Sequence, residues 1–341
     1  MNDPVIRFVD TERTFGDVTA LARLSLEMPT NAISVILGPN GAGKTTAMRL
    51  ITGALPPSGG AVEVFGLTPT SADGEEVRRR CGVVTAKPSL YDRLTGRDNL
   101  GYAAELFGLG RGAVAEARIA DASARFGIVD ALDQQVGGYS TGMKTRLALA
   151  RSILHDPELL LLDEPTSGLD PESAAAVLEL IKAMTADGRS VVLCTHLLSE
   201  AEGLADLVVV MEGGRLMVSG RPVELAERHW PKPVVRFTAA GPYELDCMTA
   251  WPEVLAYERT ANVATVTVTD NAAIPDLVTR LCAGGARLLA VDPYRPTLED
   301  LYFAERRVAN ERAALEAAAA VVNGTDDGSS PDRGLATVSA P

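Results

Sequence analysis

The chain has 341 residues, of which 46% are hydrophobic, enough for one large domain and a smaller one. Its 45 acidic and 32 basic residues give a net charge of −13, which disfavours a protein that grips nucleic acid phosphates with its general surface. No apolar run approaches the length of about 20 residues that crosses a bilayer, and the first residues do not resemble a secretion signal. We therefore expect a soluble chain.

The first two thirds of the chain alternate between strand and helix patterns. Short strand-like runs such as "ISVILG" and "GAVEVFG" fill residues 5–85, with a helix predicted after Lys44. Residues 87–150 carry apolar positions at helical spacing, and residues 157–218 return to apolar strands separated by helices. This order predicts an α/β fold with a mainly parallel sheet, into which the helical lobe of residues 87–150 is inserted.

The last third predicts a separate, smaller unit. The run "PKP" at 231–233 indicates a linker, after which "VVRFT", "VATVTVT" and "RLLAV" are strand-like, with one helix between them and another from "TLEDLYFAERR". Beyond about residue 308 the chain is alanine-rich and then polar, which predicts a flexible tail. The expected domains are 1–230, 231–307 and 308–341.

A phosphate loop follows the apolar strand "ISVIL". The stretch "GPNGAGKT" fits the pattern G-x-x-x-x-G-K-[ST] between a strand and a helix, which is the context that this motif requires. Its glycines allow the backbone to wrap phosphates, Lys44 can reach the β and γ phosphates, and the Thr45 hydroxyl suits magnesium. The predicted nucleotide-binding loop is Gly38, Pro39, Asn40, Gly41, Ala42, Gly43, Lys44, Thr45 and Thr46.

Two later strands end in polar side chains that can complete this site. The strand "LLLLD" ends at Asp163, which can hold hydrated magnesium, and Glu164 follows it, placed to orient and deprotonate the attacking water. His196 follows the strand "SVVLCT", and on a neighbouring strand it could contact the γ phosphate. We therefore predict catalytic roles for Glu164, His196 and Lys44, and a metal site at Thr45 and Asp163.

The runs "GPNGAGKTT", "YSTGM", "LLLLDEPTSGLDP" and "CTH", in this order and spacing, resemble the nucleotide-binding cassette of ABC ATPases over about residues 5–220. The resemblance implies a P-loop NTPase fold that binds ATP and Mg²⁺. It also implies that Phe15, in "RTFGD", stacks on adenine, the alternative being ordinary core packing.

In this family the turn "YSTGM" binds the γ phosphate of ATP that a second cassette holds. The resemblance therefore implies nucleotide contacts for Ser140, Gly142 and Asp170, and a homodimer or heterodimer of cassettes. The sequence departs from the family at Ala86, where a glutamine usually touches magnesium and the membrane partner. Tyr139, Thr141 and Met143 are milder departures within "YSTGM", which is the signature turn of the family.

The C-terminal run "RPTLEDLYFAERR" resembles the extension of ATPase subunits in daunorubicin-resistance exporters. The expected function is thus ATP hydrolysis that drives export of drugs, antibiotics, lipids or polysaccharide through a separate membrane permease, at the inner face of the cell membrane. The alternative is a soluble ABC ATPase that acts on ribosomes or DNA. We expect no nucleic acid partner, and we expect the four cysteines, Cys81, Cys194, Cys247 and Cys282, to be buried reduced thiols.

Overall fold

The computed structural model describes residues 4–241, 243–294 and 296–308, so the predicted tail lies outside the described residues apart from residue 308. The strands are β1 Ile6–Phe15, β2 Val18–Met28, β3 Ile33–Leu37, β4 Gly59–Val64, β5 Cys81–Val84, β6 Leu159–Asp163, β7 Ser190–Thr195, β8 Leu207–Glu212, β9 Arg215–Gly220, β10 Val234–Ala239, β11 Val254–Thr260, β12 Val263–Val268 and β13 Leu288–Pro293. The helices are α1 Lys44–Ile51, α2 Gly74–Arg79, α3 Gly96–Leu106, α4 Ala113–Arg125, α5 Thr141–Ile153, α6 Pro171–Ala186, α7 Leu198–Ala201, α8 Pro222–His229, α9 Ala273–Ala283 and α10 298–308.

The central sheet has six strands in the order β5-β6-β7-β3-β8-β9, all parallel except the antiparallel edge strand β9. Every residue of β3, β6 and β7 is buried, because helices cover both faces of a parallel sheet and its strands become continuously apolar. Leu37 pairs with Thr195, and Asp163 pairs with Cys194. The segments that follow these three strands therefore begin side by side at one edge, as the strand order in the sequence predicts.

The predicted helical lobe is confirmed as α3, α4 and α5, inserted between the adjacent strands β5 and β6. Helix α3 begins at a capping box in which Thr95 and Asp98 satisfy each other's backbone N–H groups. The buried side chains Leu100, Phe126 and Leu147 belong to the same apolar cluster as Leu162 of β6. The lobe is thus joined to the central sheet by a continuous core.

A second sheet of three antiparallel strands, in the order β2-β1-β4, covers the other side of α1. Phe8 of β1, Ala42 just before α1 and Val192 of β7 lie in one buried cluster, which fixes the start of α1 between the two sheets. The N-terminal end of α1, where the phosphate loop lies, is therefore supported on both sides by packed strands.

The C-terminal sheet has the order β11-β12-β10-β13 with all neighbours antiparallel. With α9 before the last strand and a 3-10 turn at Asp246–Ala250 before β11, this is a split β-α-β arrangement whose first helix is reduced to a turn. The sheet has its own core around Phe237, Met248 and Leu277. The sequence does not predict strand β11, because "VLAYERT" does not alternate in hydrophobicity. In the structure this strand is largely exposed.

The cysteine prediction is wrong for two of the four residues. Cys81 and Cys194 are buried, and burial raises the pKa of the Cys81 thiol to about 12, as expected of inert thiols. Cys247 and Cys282 are exposed, because they lie on the outer sides of the 3-10 turn and of α9. An apolar neighbourhood in the sequence did not distinguish the inner from the outer face of these short elements.

Candidate nucleotide site

The phosphate loop joins β3 to α1, and its backbone excludes side chains at three positions. A Cβ atom on Gly38 would lie 2.3 Å from the carbonyl oxygen of Met211, and Gly41 and Gly43 have φ angles of 83° and 100°. Only glycine adopts such angles without strain. The loop therefore presents the free N–H groups at the start of α1 without obstruction, which is the geometry of an anion cradle.

Lys44 lies over this cradle in a buried position. Its Nζ donates to the carbonyl oxygen of Gly38 at 2.6 Å and to that of Pro39 at 3.3 Å. It also lies 3.5 Å from Oε1 of Glu164, and only 7% of its side chain is exposed. A buried ammonium needs negative partners, so this position strongly favours an anion such as a phosphate.

Thr45 and Asp163 form a pair of oxygen ligands beside the loop. The Thr45 hydroxyl donates to Oδ2 of Asp163 at 2.9 Å. Burial raises the pKa of the Asp163 carboxyl, an effect that the Thr45 hydrogen bond and Lys44 partly offset and that Glu164 adds to. A hydroxyl and a carboxylate next to a phosphate cradle fit the preferences of Mg²⁺, which binds hard oxygen ligands and keeps several waters.

Glu164 is held in an unusual conformation at the end of β6. Its φ angle is 51°, although it is not glycine, and its N–H donates to the carbonyl oxygen of Cys194 at 2.9 Å. Its Oε2 lies 2.8 Å from Nδ1 of His196. Backbone strain of this kind costs about 1–3 kcal/mol and is concentrated at functional sites. The structure thus brings Lys44, Thr45, Asp163, Glu164 and His196 together, as the sequence predicts.

Ser140, Gly142 and Asp170 lie in a second group. Ser140 is exposed and caps α5 by accepting from the N–H of Met143 at 3.2 Å. Asp170 caps α6 by accepting from the N–H of Ser173 at 2.9 Å, and a Cβ atom on Gly142 would lie 3.6 Å from the Ser173 hydroxyl. In the described part of the chain, no hydrogen bond or ion pair joins this group to the phosphate loop. One chain therefore carries two separate helix starts that are suited to anions.

Phe15 lies on the surface, and Ala86 lies beside Glu164. The Phe15 ring is 43% exposed at the end of β1 with the guanidinium of Arg13 at 4.5 Å, so the alternative of core packing is wrong. Ala86 lines a cavity of about 100 Å³ with Glu164 and Lys144. The position that the resemblance assigns to a glutamine is therefore next to the carboxylate that we predict to be catalytic.

One residue at the site escaped sequence reasoning. Tyr302 of α10 lines a cavity of about 310 Å³ together with Gly38, Pro39, Asn40 and His196. The sequence offered no signal for this contact, because more than a hundred residues and the whole C-terminal sheet separate Tyr302 from His196.

Comparison with known proteins agrees with this geometry. Residues 21–167 match the family model described as ABC transporter. Over 228 residues the chain is 38% identical to the ABC transporter ATP-binding protein NatA of Bacillus subtilis, covering 65% of this chain and 92% of that protein. It is 34% identical over 322 residues to the daunorubicin resistance ATP-binding protein DrrA3 of Streptomyces coeruleorubidus, covering 93% of this chain and all of that protein.

A solved structure gives the same fold. The chain matches cbiO1 of Clostridium perfringens, part of the ABC transporter complex cbiONQ, with a TM-score of 0.60 and 27% identity. The match covers 66% of this chain and 91% of that chain. The shared part has the size of the N-terminal cassette, and the longer match to DrrA3 extends beyond it.

Proposed function

Because this chain belongs to the family of ABC transporter ATP-binding proteins, we propose that it is the ATP-hydrolysing subunit of an exporter and works as a dimer of cassettes on a separate membrane permease. One observation carries the proposal: a single carboxylate, that of Glu164, lies between the Lys44 ammonium and the His196 ring beside a phosphate cradle. This arrangement suits the transfer of a phosphoryl group to water.

The residues divide the work of hydrolysis by charge. Lys44 and the N–H groups of the loop bind the β and γ phosphates, and Thr45 and Asp163 hold Mg²⁺. Bound there, Mg²⁺ would supply positive charge to the phosphate oxygens. Glu164 orients the attacking water and accepts its proton, while His196 fixes the Glu164 side chain and faces the γ phosphate.

A second cassette completes the site in this proposal. The turn at Ser140 is exposed and is not bonded to its own phosphate loop, so the N–H groups at the start of α5, apart from that of Met143, which Ser140 caps, can bind a partner's γ phosphate. Helix α5 has no acidic residue in its first turn to repel a phosphate. A two-fold dimer, formed by two copies or by this chain and a related cassette, gives each ATP one loop and one signature turn.

The membrane permease is a partner of the helical lobe. No helix in the described ranges is long and apolar enough to cross a membrane. Tyr102 and Leu106, four residues apart on α3, are exposed by 45% and 69%, and Tyr91 packs edge-on against Tyr102 with ring centroids 5.3 Å apart. An exposed aromatic and apolar patch of this kind is typical of a protein interaction site and supports docking of the permease. The chain would then be held at the inner face of the membrane.

Export is supported by the C-terminal extension. The similarity to DrrA3, a protein named for daunorubicin resistance, spans that protein completely and so includes the C-terminal sheet of this chain. Drugs, antibiotics, lipids and polysaccharides are the substrate classes that we propose. A role on ribosomes or DNA is less well supported, because the net charge of −13 repels nucleic acid.

The test is Mg²⁺-dependent ATPase activity measured against protein concentration, with and without a co-expressed permease. We expect activity per molecule to rise with concentration as two cassettes assemble, and to rise further with the permease. Activity per molecule that stays constant down to demonstrably monomeric protein would contradict the shared site. Absence of Mg²⁺-dependent hydrolysis under all of these conditions would contradict the enzymatic proposal itself.

A further inference from the structure

The last described helix, α10, packs on the cassette and leaves the C-terminal sheet. It begins at a capping box in which Thr297 and Asp300 bond to each other, and Leu298 and Leu301 are 6% and 2% exposed within the core cluster of the cassette. Two side-chain pairs hold it further: Glu305 lies 2.8 Å from Nε2 of His229, with both side chains largely buried. Arg306 lies 3.0 Å from Glu212.

The pair of Arg306 and Glu212 connects α10 to the phosphate loop. Glu212 ends β8 and follows Met211, whose carbonyl oxygen is so close to Gly38 that no side chain fits there. The Arg306 guanidinium also lies 5.6 Å from the centre of the Tyr302 ring. The position of Tyr302 is thus set by contacts that lead directly to the first residue of the loop.

The cavity that Tyr302 lines is at the γ-phosphate end of the proposed site. Its other walls are Gly38, Pro39, Asn40, His196 and Leu198, and the His196 ring contacts Glu164. Phe15, to which the resemblance assigns the adenine, does not line this cavity. A group in this cavity therefore meets the terminal phosphate of ATP, which ADP lacks.

We propose that Tyr302 forms one wall of the γ-phosphate end of its own chain's nucleotide site, so that α10 distinguishes ATP from ADP. The inference rests on the proposed ATP site. Tyr302 is a specificity-determining residue here: its ring and hydroxyl add contacts that only a triphosphate makes, while Leu298, Leu301 and the two side-chain pairs hold the ring in place. The binding energy of the γ phosphate is thereby transmitted to the C-terminal helix.

The test compares the affinities of the full-length protein for ATPγS and for ADP, at concentrations where it is monomeric. We expect Tyr302→Ala to weaken ATPγS binding by about three- to ten-fold, the worth of one aromatic contact, and ADP binding by less than about two-fold. Tyr302→Phe should keep most of the wild-type difference between the affinities for ATPγS and ADP. Arg307→Ala is the control on the same helix, since Arg307 is exposed and does not line the cavity.

A second measurement uses tryptophan emission in case Tyr302→Ala unfolds. The chain has two tryptophans, and in Trp251→Phe the remaining Trp230 packs in the same cluster as α10. Its emission should change more with ATPγS than with ADP.

The results separate this proposal from the ATP site itself. Loss of selectivity in Tyr302→Ala, with ADP affinity intact, supports it. Equal weakening for both nucleotides, the same effect from Arg307→Ala, equal Trp230 emission with both nucleotides, or an effect that appears only when the protein dimerises overturns it. The last outcome would mean that Tyr302 contacts a second copy. Failure of the wild type to bind ATPγS would instead contradict the proposed function.

Discussion

Glu164 contacts two basic side chains through its two oxygens: Oε1 lies 3.5 Å from Nζ of Lys44, and Oε2 lies 2.8 Å from Nδ1 of His196. Three elements meet at this one carboxylate, namely the phosphate loop, the end of β6 and the end of β7. Because the backbone of Glu164 is also fixed by its N–H bond to Cys194, the carboxylate has little freedom to move. Its position is thus defined before any nucleotide arrives.

We expect Glu164→Gln to slow hydrolysis by about 10²- to 10⁴-fold, the usual contribution of a general base, while ATP affinity changes little. The amide keeps the shape and can still face Lys44 and His196, but it cannot accept a proton. The measurement is single-turnover hydrolysis together with nucleotide affinity. A parallel loss of ATP binding would indicate that Glu164 is needed to hold Lys44 in place and not to accept the proton.

His196→Ala should also lower kcat, by about 10- to 100-fold, with a smaller change in KM, because removal of a positioning contact leaves the base present but loosely held. His155→Ala is an informative comparison. His155 contacts the carbonyl oxygen of Cys81 at 3.0 Å and stacks on Phe107, and neither partner belongs to the phosphate loop. We expect that variant to lose stability and to keep its kcat. Equal kcat values for His196→Ala and the wild type would remove the positioning role.

Magnesium binding should weaken as the pH falls. Burial raises the pKa of Asp163, so the folded chain takes up this proton at a higher pH than the unfolded chain does. Protonation therefore favours the fold slightly, but it removes the anion that the metal needs. The charged groups that influence Asp163 are Glu164, Lys44 and Arg49.

The check is a Mg²⁺ titration of the ADP-bound protein by calorimetry, from neutral pH down to the lowest pH at which the protein stays folded. The affinity should fall with acidification in the wild type. Asp163→Asn should bind Mg²⁺ weakly at every pH and show no such trend, and His196→Ala should keep the trend, which separates Asp163 from the titration of histidine. A flat wild-type profile would contradict the assignment.

The arrangement at the ends of β3, β6 and β7 could be predicted from the sequence because it follows from local rules. A buried parallel strand exposes its carboxyl end at one edge of the sheet, so Lys44, Asp163, Glu164 and His196 had to meet there once the strands were recognised. The glycine loop carries its own signal in its spacing.

The contacts of α10 could not be predicted in this way. The packing of Leu301 against the cassette and the place of Tyr302 depend on how the chain folds back onto the cassette after the C-terminal sheet. No short-range sequence pattern encodes this long-range contact. The domain boundary predicted after residue 230 remains a prediction. By its sequence position α10 falls in the predicted C-terminal domain, but it packs on the cassette.

The packing of α10 makes a stability prediction. Leu301→Ala should lower the free energy of unfolding by about 2–5 kcal/mol, because Leu301 is 2% exposed and its removal leaves a cavity in the core of the cassette. Phe303→Ala, at an exposed position, should change it by less than about 0.5 kcal/mol. Denaturant unfolding measures both. Similar small effects in both variants would mean that α10 is not held on the cassette in solution.

The tail is expected to matter less. Deletion of residues 309–341, which lie outside the described part of the chain, should leave ATP hydrolysis unchanged, because the sequence there is rich in alanine and polar residues and poor in large apolar ones. ATPase activity and thermal unfolding of the shortened chain are the measurements. A shortened chain that does not fold would reveal an ordered element in the tail.

Ala86 provides the final prediction, since it lines a small cavity with Glu164 and Lys144 and has no polar atom to offer. Lys144 is on the signature helix α5 and pairs with Asp92 at 2.9 Å, in the same segment as Tyr91 of the exposed patch. A glutamine at position 86 would place an amide between this segment and the Glu164 carboxylate. We expect Ala86→Gln to bind and hydrolyse ATP, but to change how strongly the permease stimulates hydrolysis. Ala86→Met is the control, because it adds similar length without an amide. If the wild type, Ala86→Gln and Ala86→Met are stimulated equally in the permease-bound complex, coupling does not pass through this position.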